Sequence, residues 1–281
     1  QAARAGNAIF LEKPMALNTE GAQRMLDASR ETGRTLMINF NRRFHASAAA
    51  AKRFCEGGRL GHIYFARSVW HRRRGFPGFG GWFGTKSQSG GGALIDLGIH
   101  RLDLALWLMG YPQPVTVSAA TYNFLGKSRA DLEKKLFDVE DLATAYIRFS
   151  NGSTLVLEAS WALNQQEADL MTTHIYGTQG GLLEKNLNET YEFDAFAYTE
   201  ENGVLIDHHL KQLSTREQLP QEHFVDCIRN NTTPGPSAEH GLLIMKILDA
   251  IYASAKAGRE IEIDLSSSPA AESLQGMTVA S

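Results

Sequence analysis

Residues 89–110 read SGGGALIDLGIHRLDLALWLMG. An aspartate and a histidine, Asp96 and His100, lie four residues apart at the mouth of an otherwise apolar helix pattern. Residues at i and i+4 share one helix face, so the two side chains point the same way if the helix begins near Asp96. The positive end of the helix dipole disfavours protonated imidazole, which would leave His100 a neutral base near pH 7. The three glycines ahead of the pair, Gly90 to Gly92, would let a ligand approach the backbone closely. The plain alternative is a capping aspartate and a core histidine. A second candidate is Lys13, between Glu12 and Pro14 at the carboxyl end of the apolar run AIFLEKP. Ligands of open α/β sheets bind outside that edge. A lysine there could donate a proton or a hydrogen bond to a developing alkoxide. The alternative is a surface lysine at a strand end.

Two other stretches carry chemistry-bearing residues. GFGGWFG, Gly78 to Gly84, matches a loosened dinucleotide glycine pattern. A phosphate-cradling turn must run directly into a helix whose N-terminus faces the anion. Here Trp82 and Phe83 lie inside the loop and polar residues follow, so the stretch reads as an aromatic-bearing loop over a site. HRRR, His71 to Arg74, reads either as an anion-binding cluster or as a solvated strand end.

The elements that would position these groups form a β-α-β start, then mostly strands, then helices. AIFLEKP is a short buried strand. NTEGAQRMLDASRETG is a helix capped by Asn18 or Thr19 and stopped at Gly33, with Ala22, Met25, Leu26 and Ser29 on one face. TLMINF is a second buried strand, which completes a unit of βαβ size. SAAAAKRFCEGG is another helix with a glycine stop. GHIYFARSVWHRR reads as a long strand, and residues 76–92 as a loop with seven glycines. PVTVSAATYNF is a strand, and Lys127 to Lys135 an exposed charged helix or excursion. EDLATAYIRFSNGSTLVLEASWAL gives two alternating strands around Asn151-Gly152, a strong hairpin signal. MTTHIYG and TYEFDAFAY add strands. Helices near Gln221–Asn230 and Ala238–Ala257 close the body, the second offering Leu242, Met245, Leu248, Ala250 and Tyr252 to a core.

The hairpin strands are apolar on both alternating faces. One set is Leu142, Tyr146, Leu155 and Leu157, the other Ala143, Ile147, Phe149 and Val156. Strands apolar on both faces are buried on both, so one face should meet helices and the other a second subunit.

The chain has 281 residues, 43% hydrophobic and 21% charged, with a net charge of −3. This is an ordinary globular composition that asks for neither nucleic acid nor an anionic membrane surface. Its two cysteines, Cys55 and Cys227, fit reduced thiols in a cytoplasmic protein better than a disulfide framework. No apolar run approaches transmembrane length, the start carries no secretory apolar segment, and no metal-ligand pattern stands out. The expected class is therefore α/β plus α+β. Residues 1–42 read as the C-terminal remnant of a dinucleotide-binding Rossmann domain. Residues 43–265 read as an α+β domain with a large, mostly antiparallel open sheet, and residues 266–281 as a disordered tail.

FLEKPMA, NFNRRFHA, GRLGHI, GGWF leading into SGGGALIDLGIHRLDLALWLMG, and DVEDLATAYIRFSNGSTLVLEASW follow one another in a single order. In this order the chain resembles the glucose–fructose oxidoreductase / inositol dehydrogenase (Gfo/Idh/MocA) family from about Gly6 to Leu265. The resemblance implies NAD or NADP as cofactor and hydride transfer to or from a sugar or cyclitol. It implies Lys13, Asp96 and His100 as catalytic groups, with Asp96 orienting or supporting His100. It implies Glu12, Lys13, Asn41 and Trp82 at the nicotinamide half of the cofactor, and a homodimer or homotetramer formed through the open sheet.

One departure stands out. No G-x-G-x-x-G precedes Lys13, so the pyrophosphate turn and the ribose-binding carboxylate are absent and the sequence reads as a truncated family member. Weak NAD(P) binding by the chain alone is the expectation. The alternatives are an NAD-dependent glycoside hydrolase, which shares the lysine and histidine set, and a non-catalytic sugar-binding or scaffold protein.

Overall fold

Two short apolar strands, Ile9–Leu11 (β1) and Leu36–Ile38 (β2), pair in parallel with Ile9 opposite Leu36. The computed structural model describes residues 1–211 and 218–265; the proposed tail at 266–281 lies outside them. The crossover between β1 and β2 is helix α1, Thr19–Thr32. The Asn18 side chain accepts from the Gly21 N–H at 2.9 Å to cap it, and Gly33 ends it at φ 64°. Ala22 and Leu26 are buried, but Met25 is 40% exposed. One residue turns a helix by about 100°, which carries Met25 off the stripe that Leu26 occupies.

The chain returns to this small sheet at its other end. Helices α6 (Pro220–Asn230) and α7 (Ala238–Ala257) follow the large sheet in sequence. Phe224 packs on Phe10 with ring centroids 5.5 Å apart. The Ile38 N–H bonds to the Pro236 carbonyl at 3.0 Å, and Met37 bridges Ser237. The Thr19 N–H bonds to Asp249 Oδ2 at 2.7 Å, joining α1 to α7. A two-stranded parallel sheet needs cover on its faces and edges, and these late helices supply one edge and part of a face.

The second sheet has nine strands. These are β3 (Ile63–Arg72), β4 (Pro114–Tyr122), β5 (Leu142–Phe149), β6 (Thr154–Ser160), β7 (Asp169–Gly177), β8 (Gly180–Asn186), β9 (Phe193–Glu201), β10 (Val204–Leu210) and β11 (Ile261–Glu262). Their order across the sheet is β10-β9-β8-β7-β3-β6-β5-β4-β11, antiparallel except for the β3–β6 pair. The expected hairpin forms at Asn151-Gly152, with Gly152 at φ 83°. β8, β10 and β11 have no counterpart in the strands expected from sequence. β8 opens on two glycines, and β10 is an edge strand whose side chains are mostly exposed. Sheet pairing, not hydrophobic pattern, recruits them.

Helices α2 (Ala46–Glu56), α4 (Ile99–Leu108) and α7 cover one face of this sheet. That inner face takes Ala143, Ala145, Ile147 and Phe149 together with Leu155, Leu157 and Ala159. The outer face takes Leu142, Tyr146 and Val156 with Thr144, Thr154 and Glu158. The grouping expected from sequence is therefore corrected: register places Ala145 opposite Leu157 and Tyr146 opposite Val156. Alternation within one strand does not say which set of the next strand shares its face. The outer apolar side chains are half-buried, not buried, in the single chain. No helix among the described residues is long and apolar enough to cross a membrane.

Candidate active site

The segment that carries Asp96 is not an ordinary helix start. Leu94–Gly98 forms a π-helical turn in which the Ile99 N–H reaches back to the Leu94 carbonyl, and α4 follows directly. Such wide turns re-aim side chains and are frequent at functional sites. Asp96 and His100 do not bond to each other. Asp96 Oδ1 accepts from Lys13 Nζ at 2.9 Å, and Oδ2 accepts from Trp161 Nε1 at 2.9 Å. Lys13 Nζ also donates to the Asp96 backbone carbonyl at 2.9 Å. An ammonium has three donors, so one N–H of Lys13 remains for a ligand. The pair is largely buried, with 18% and 16% of the two side chains exposed.

His100 packs against the Trp70 indole, ring centroids 5.7 Å apart. Its Nδ1 is buried without a partner, whereas Nε2 is not sealed in this way. Burial holds the imidazole pKa well below its ordinary value, and Lys13, Arg42, Arg101 and Arg72 push it further in the same direction. His100 is therefore neutral at pH 7, as expected, but burial and four cations are the causes in place of the helix dipole.

The glycines ahead of Asp96 face protein rather than ligand, which corrects the expectation of close ligand approach. A Cβ on Gly91 would strike the Tyr252 hydroxyl at 1.9 Å, and one on Gly92 would strike the Glu140 carbonyl at 1.9 Å. The Glu140 carboxylate accepts from the Gly92 and Leu94 N–H groups and from the Tyr252 hydroxyl, each at 2.9 Å. It satisfies the free donors at the head of the π turn, although burial pushes its own pKa up. The small residues thus let Glu140 lie against the chain and fix the segment that aims Asp96.

Around Trp70 lies a group of charges that sequence reasoning saw only in part. The guanidiniums of Arg42, Arg72 and Arg101 lie 4.9, 5.2 and 5.8 Å from the indole centroid. Arg101 is fully buried and pairs with Glu184 at 2.9 Å. Arg72 pairs loosely with Asp169 at 3.4 Å and donates to the Tyr191 hydroxyl at 2.6 Å. Asp169 also accepts from Trp70 Nε1 at 2.8 Å. Of the HRRR cluster only Arg72 joins this group. His71 lies on the outer sheet face beside Glu158, and Arg74 bonds to Asn164 and the Leu163 carbonyl. Arg42 and Arg43 adjoin in a short 3-10 turn after β2, yet Arg43 is committed to a buried pair with Asp103. Two adjacent arginines after a buried strand were the available signal, and one of them is structural.

The remaining expected site residues are spread around Lys13. Glu12 is exposed and accepts from Asn39 Nδ2 at 2.7 Å, across the carboxyl ends of β1 and β2. Asn41 follows, exposed, at the start of the 3-10 turn. Trp82 is 53% exposed and stacks on Phe83 at 3.8 Å. Phe83 meets Trp161 edge-on at 6.5 Å, so Trp82 connects to Asp96 only through two further rings. The Gly78–Gly84 loop leads into helix α3, Lys86–Ser89, of one turn. Phe76 and Phe79 pack on Phe137, so the loop forms an aromatic wall beside the site. Trp161, Trp70, Arg42, Arg101, Glu140 and Tyr191 were not among the residues expected from sequence. Trp161 and Glu140 are far in sequence from the segment around Asp96 that they hold.

Comparison with known proteins places the chain in a family. A family model described as the GFO/IDH/MocA C-terminal domain matches residues 48–183, and one described as an oxidoreductase family with an NAD-binding Rossmann fold matches residues 1–40. D-glucoside 3-dehydrogenase of Escherichia coli is 32% identical over 269 residues, which is 93% of this chain and 74% of that protein. Levoglucosan dehydrogenase of Pseudarthrobacter phenanthrenivorans is 31% identical over 198 residues, covering 65% of this chain and 50% of that protein. A solved levoglucosan dehydrogenase in complex with NADH and levoglucosan superposes with a TM-score of 0.81 at 24% identity, over 94% of this chain and 75% of that one. The chain thus spans half to three quarters of the length of these proteins.

Proposed function

Because the chain belongs to the Gfo/Idh/MocA oxidoreductase family, whose members named above are sugar dehydrogenases, we propose that it carries out hydride transfer on a sugar or cyclitol hydroxyl. Lys13 and His100 are the acid and base groups in this reading. The observation that carries it is the Lys13–Asp96 pair, which leaves one ammonium N–H free beside a neutral imidazole.

The nicotinamide cofactor, when bound, accepts or returns the hydride. The carboxyl ends of β1 and β2 suit its nicotinamide end. Glu12 and Asn41 stand exposed there beside Lys13, and Asn41 makes no side-chain hydrogen bond among the described residues. With Trp82 as an aromatic neighbour, these residues would hold that end. The sequence contains no G-x-G-x-x-G, the glycine turn on which a pyrophosphate commonly sits.

His100 Nε2 takes the proton of the substrate hydroxyl as the carbonyl forms, and returns it in the reverse direction. The free N–H of Lys13 bonds to the same oxygen and stabilises its developing negative charge. Asp96 keeps the ammonium in place and offsets its charge, and so acts on Lys13 more than on His100. Trp161 holds the second carboxylate oxygen, which prevents Asp96 from turning away.

Formation of NADH or NADPH from methyl glucosides and inositols at millimolar dinucleotide, measured for the wild-type chain, His100→Asn and Lys13→Met, tests the proposal. A proton-transfer group is worth roughly 10²–10⁴-fold, so both variants should lose that much kcat. A His100→Asn variant within a few-fold of wild type would remove histidine from the role. Free sugar released from a glucoside with no net dinucleotide reduction would instead assign redox-assisted elimination.

A further inference from the structure

The charges that surround Trp70 do not balance. Three guanidiniums, Arg42, Arg72 and Arg101, meet two carboxylates, and each carboxylate already holds one partner: Asp169 with Arg72, Glu184 with Arg101. Arg42 forms no ion pair among the described residues, and the carboxylates whose charge reaches it, Glu184 and Asp169, are already paired. It is only 5% exposed. Its Nη2 reaches nothing better than the Met171 sulfur at 3.7 Å, and its Nε is buried without a partner. Its Nη1 has no acceptor among the described residues and is not sealed from solvent. The guanidinium is held by rings instead, 4.9 Å from Trp70, 5.3 Å from Tyr191 and 4.6 Å from Phe193.

Ring faces fix a guanidinium in place but do not replace an anion. A buried cation left without one is strongly disfavoured, and here burial and the charge of Arg101 lower the Arg42 pKa to about 10. The orphan cation also lies near the reacting groups, because Arg42 and His100 pack on the same indole, 4.9 and 5.7 Å from Trp70. We propose that the substrate is a polyhydroxylated molecule bearing one carboxylate, which Arg42 binds while a hydroxyl of the same molecule sits at Lys13 and His100. This rests on the hydride-transfer reading of that site. A single negative charge completes the site, which favours a carboxylate over a phosphomonoester. Arg72, half-buried at the rim and only loosely held by Asp169 at 3.4 Å, stands on the same indole as a second donor.

Calorimetric titration with D-glucuronate, D-glucose 6-phosphate and D-glucose tests this, on the wild-type chain and on Arg42→Gln and Arg42→Met. A charge-assisted bond to a buried guanidinium corresponds to roughly 10- to 100-fold in affinity. Glucuronate should bind wild type tighter than glucose by that factor, and both variants should bind the two sugars alike. Both variants should also melt no lower than wild type, since each removes an uncompensated buried charge. Equal affinity of wild type for glucuronate and glucose overturns the proposal. A preference that survives in both variants, tighter binding of the phosphate ester, or no binding of either sugar does the same. Binding needs no hydride acceptor, so failure here leaves the hydride-transfer reading to its own assay.

Discussion

Trp161 Nε1 donates to Asp96 Oδ2 at 2.9 Å, from a tryptophan with no exposed surface. The indole comes just beyond β6 and the carboxylate from the π turn before α4, so the bond ties the sheet to the segment that presents Asp96. It sets the direction of one oxygen and so leaves the other to Lys13.

Trp161→Phe keeps most of the ring packing on Phe83 and Phe137 but removes the donor. Hydrogen bonds to charged groups are worth about 1.5–3 kcal/mol. The expected result is a fall in kcat of about 10- to 100-fold with KM changed much less, and a cooperative melt. A fall in stability with kcat unchanged would make Trp161 a packing residue only.

Gly92→Ala should be severe. Its Cβ would lie 1.9 Å from the Glu140 carbonyl oxygen and 2.9 Å from the carbonyl carbon, both backbone atoms that cannot swing aside. A cost above about 2 kcal/mol in urea unfolding is expected, together with loss of activity as the π turn shifts. Gly81→Ala is the control, since nothing lies within 4 Å of a Cβ there; it should leave the unfolding midpoint in place.

Acid should weaken the fold in part through its histidines. Burial, then the charge of Arg43, push His240 down to about 3, and His100 is also held well below its usual value. In the unfolded chain both titrate near ~6.5. Between these values the unfolded state takes protons that the native state refuses. This stability is fully present above pH ~6.5 and is lost as pH falls toward the native value. Each histidine contributes a slope of up to about 1.4 kcal/mol per pH unit. Buried Glu140 and Asp103, whose pKa values are raised, act in the opposite sense. The difference between wild type and His240→Gln isolates one term. Unfolding free energies at pH 7, 6 and 5 should fall less steeply in the variant, and parallel curves would contradict the assignment.

The outer face of the nine-stranded sheet is expected to meet a second copy of the chain. Tyr146 and Val156 pair there across β5 and β6, and Leu142 lies on the same face beyond the Thr144–Glu158 pair; all three are half-buried. Patches of this kind mark association surfaces. Light scattering at micromolar concentration should give a dimer or tetramer, and Val156→Glu should give a monomer with unchanged circular dichroism. A monomeric wild type would exclude this face as an interface.

Local chemistry made much of this protein legible in its sequence. The Asn18 cap, the Gly33 stop and the Asn151-Gly152 turn act within a few residues, and helix and hairpin follow from them. Lys13, Asp96 and His100 could be named because each stands at the end of an element where a ligand would bind. What those residues do to one another was decided by tertiary structure alone. Asp96 turns to Lys13, 83 positions earlier, and to Trp161, 65 positions later, and not to the histidine one turn away. A π turn, stabilised by Glu140 from another part of the chain, made that choice. The unpaired state of Arg42 was equally invisible, since it depends on which carboxylates the fold gives to its neighbours. Capping and turn formation are nearest-neighbour effects that a sequence states directly. The pairing of buried charges depends on which distant segments share a low-dielectric space, and only the packed chain specifies that.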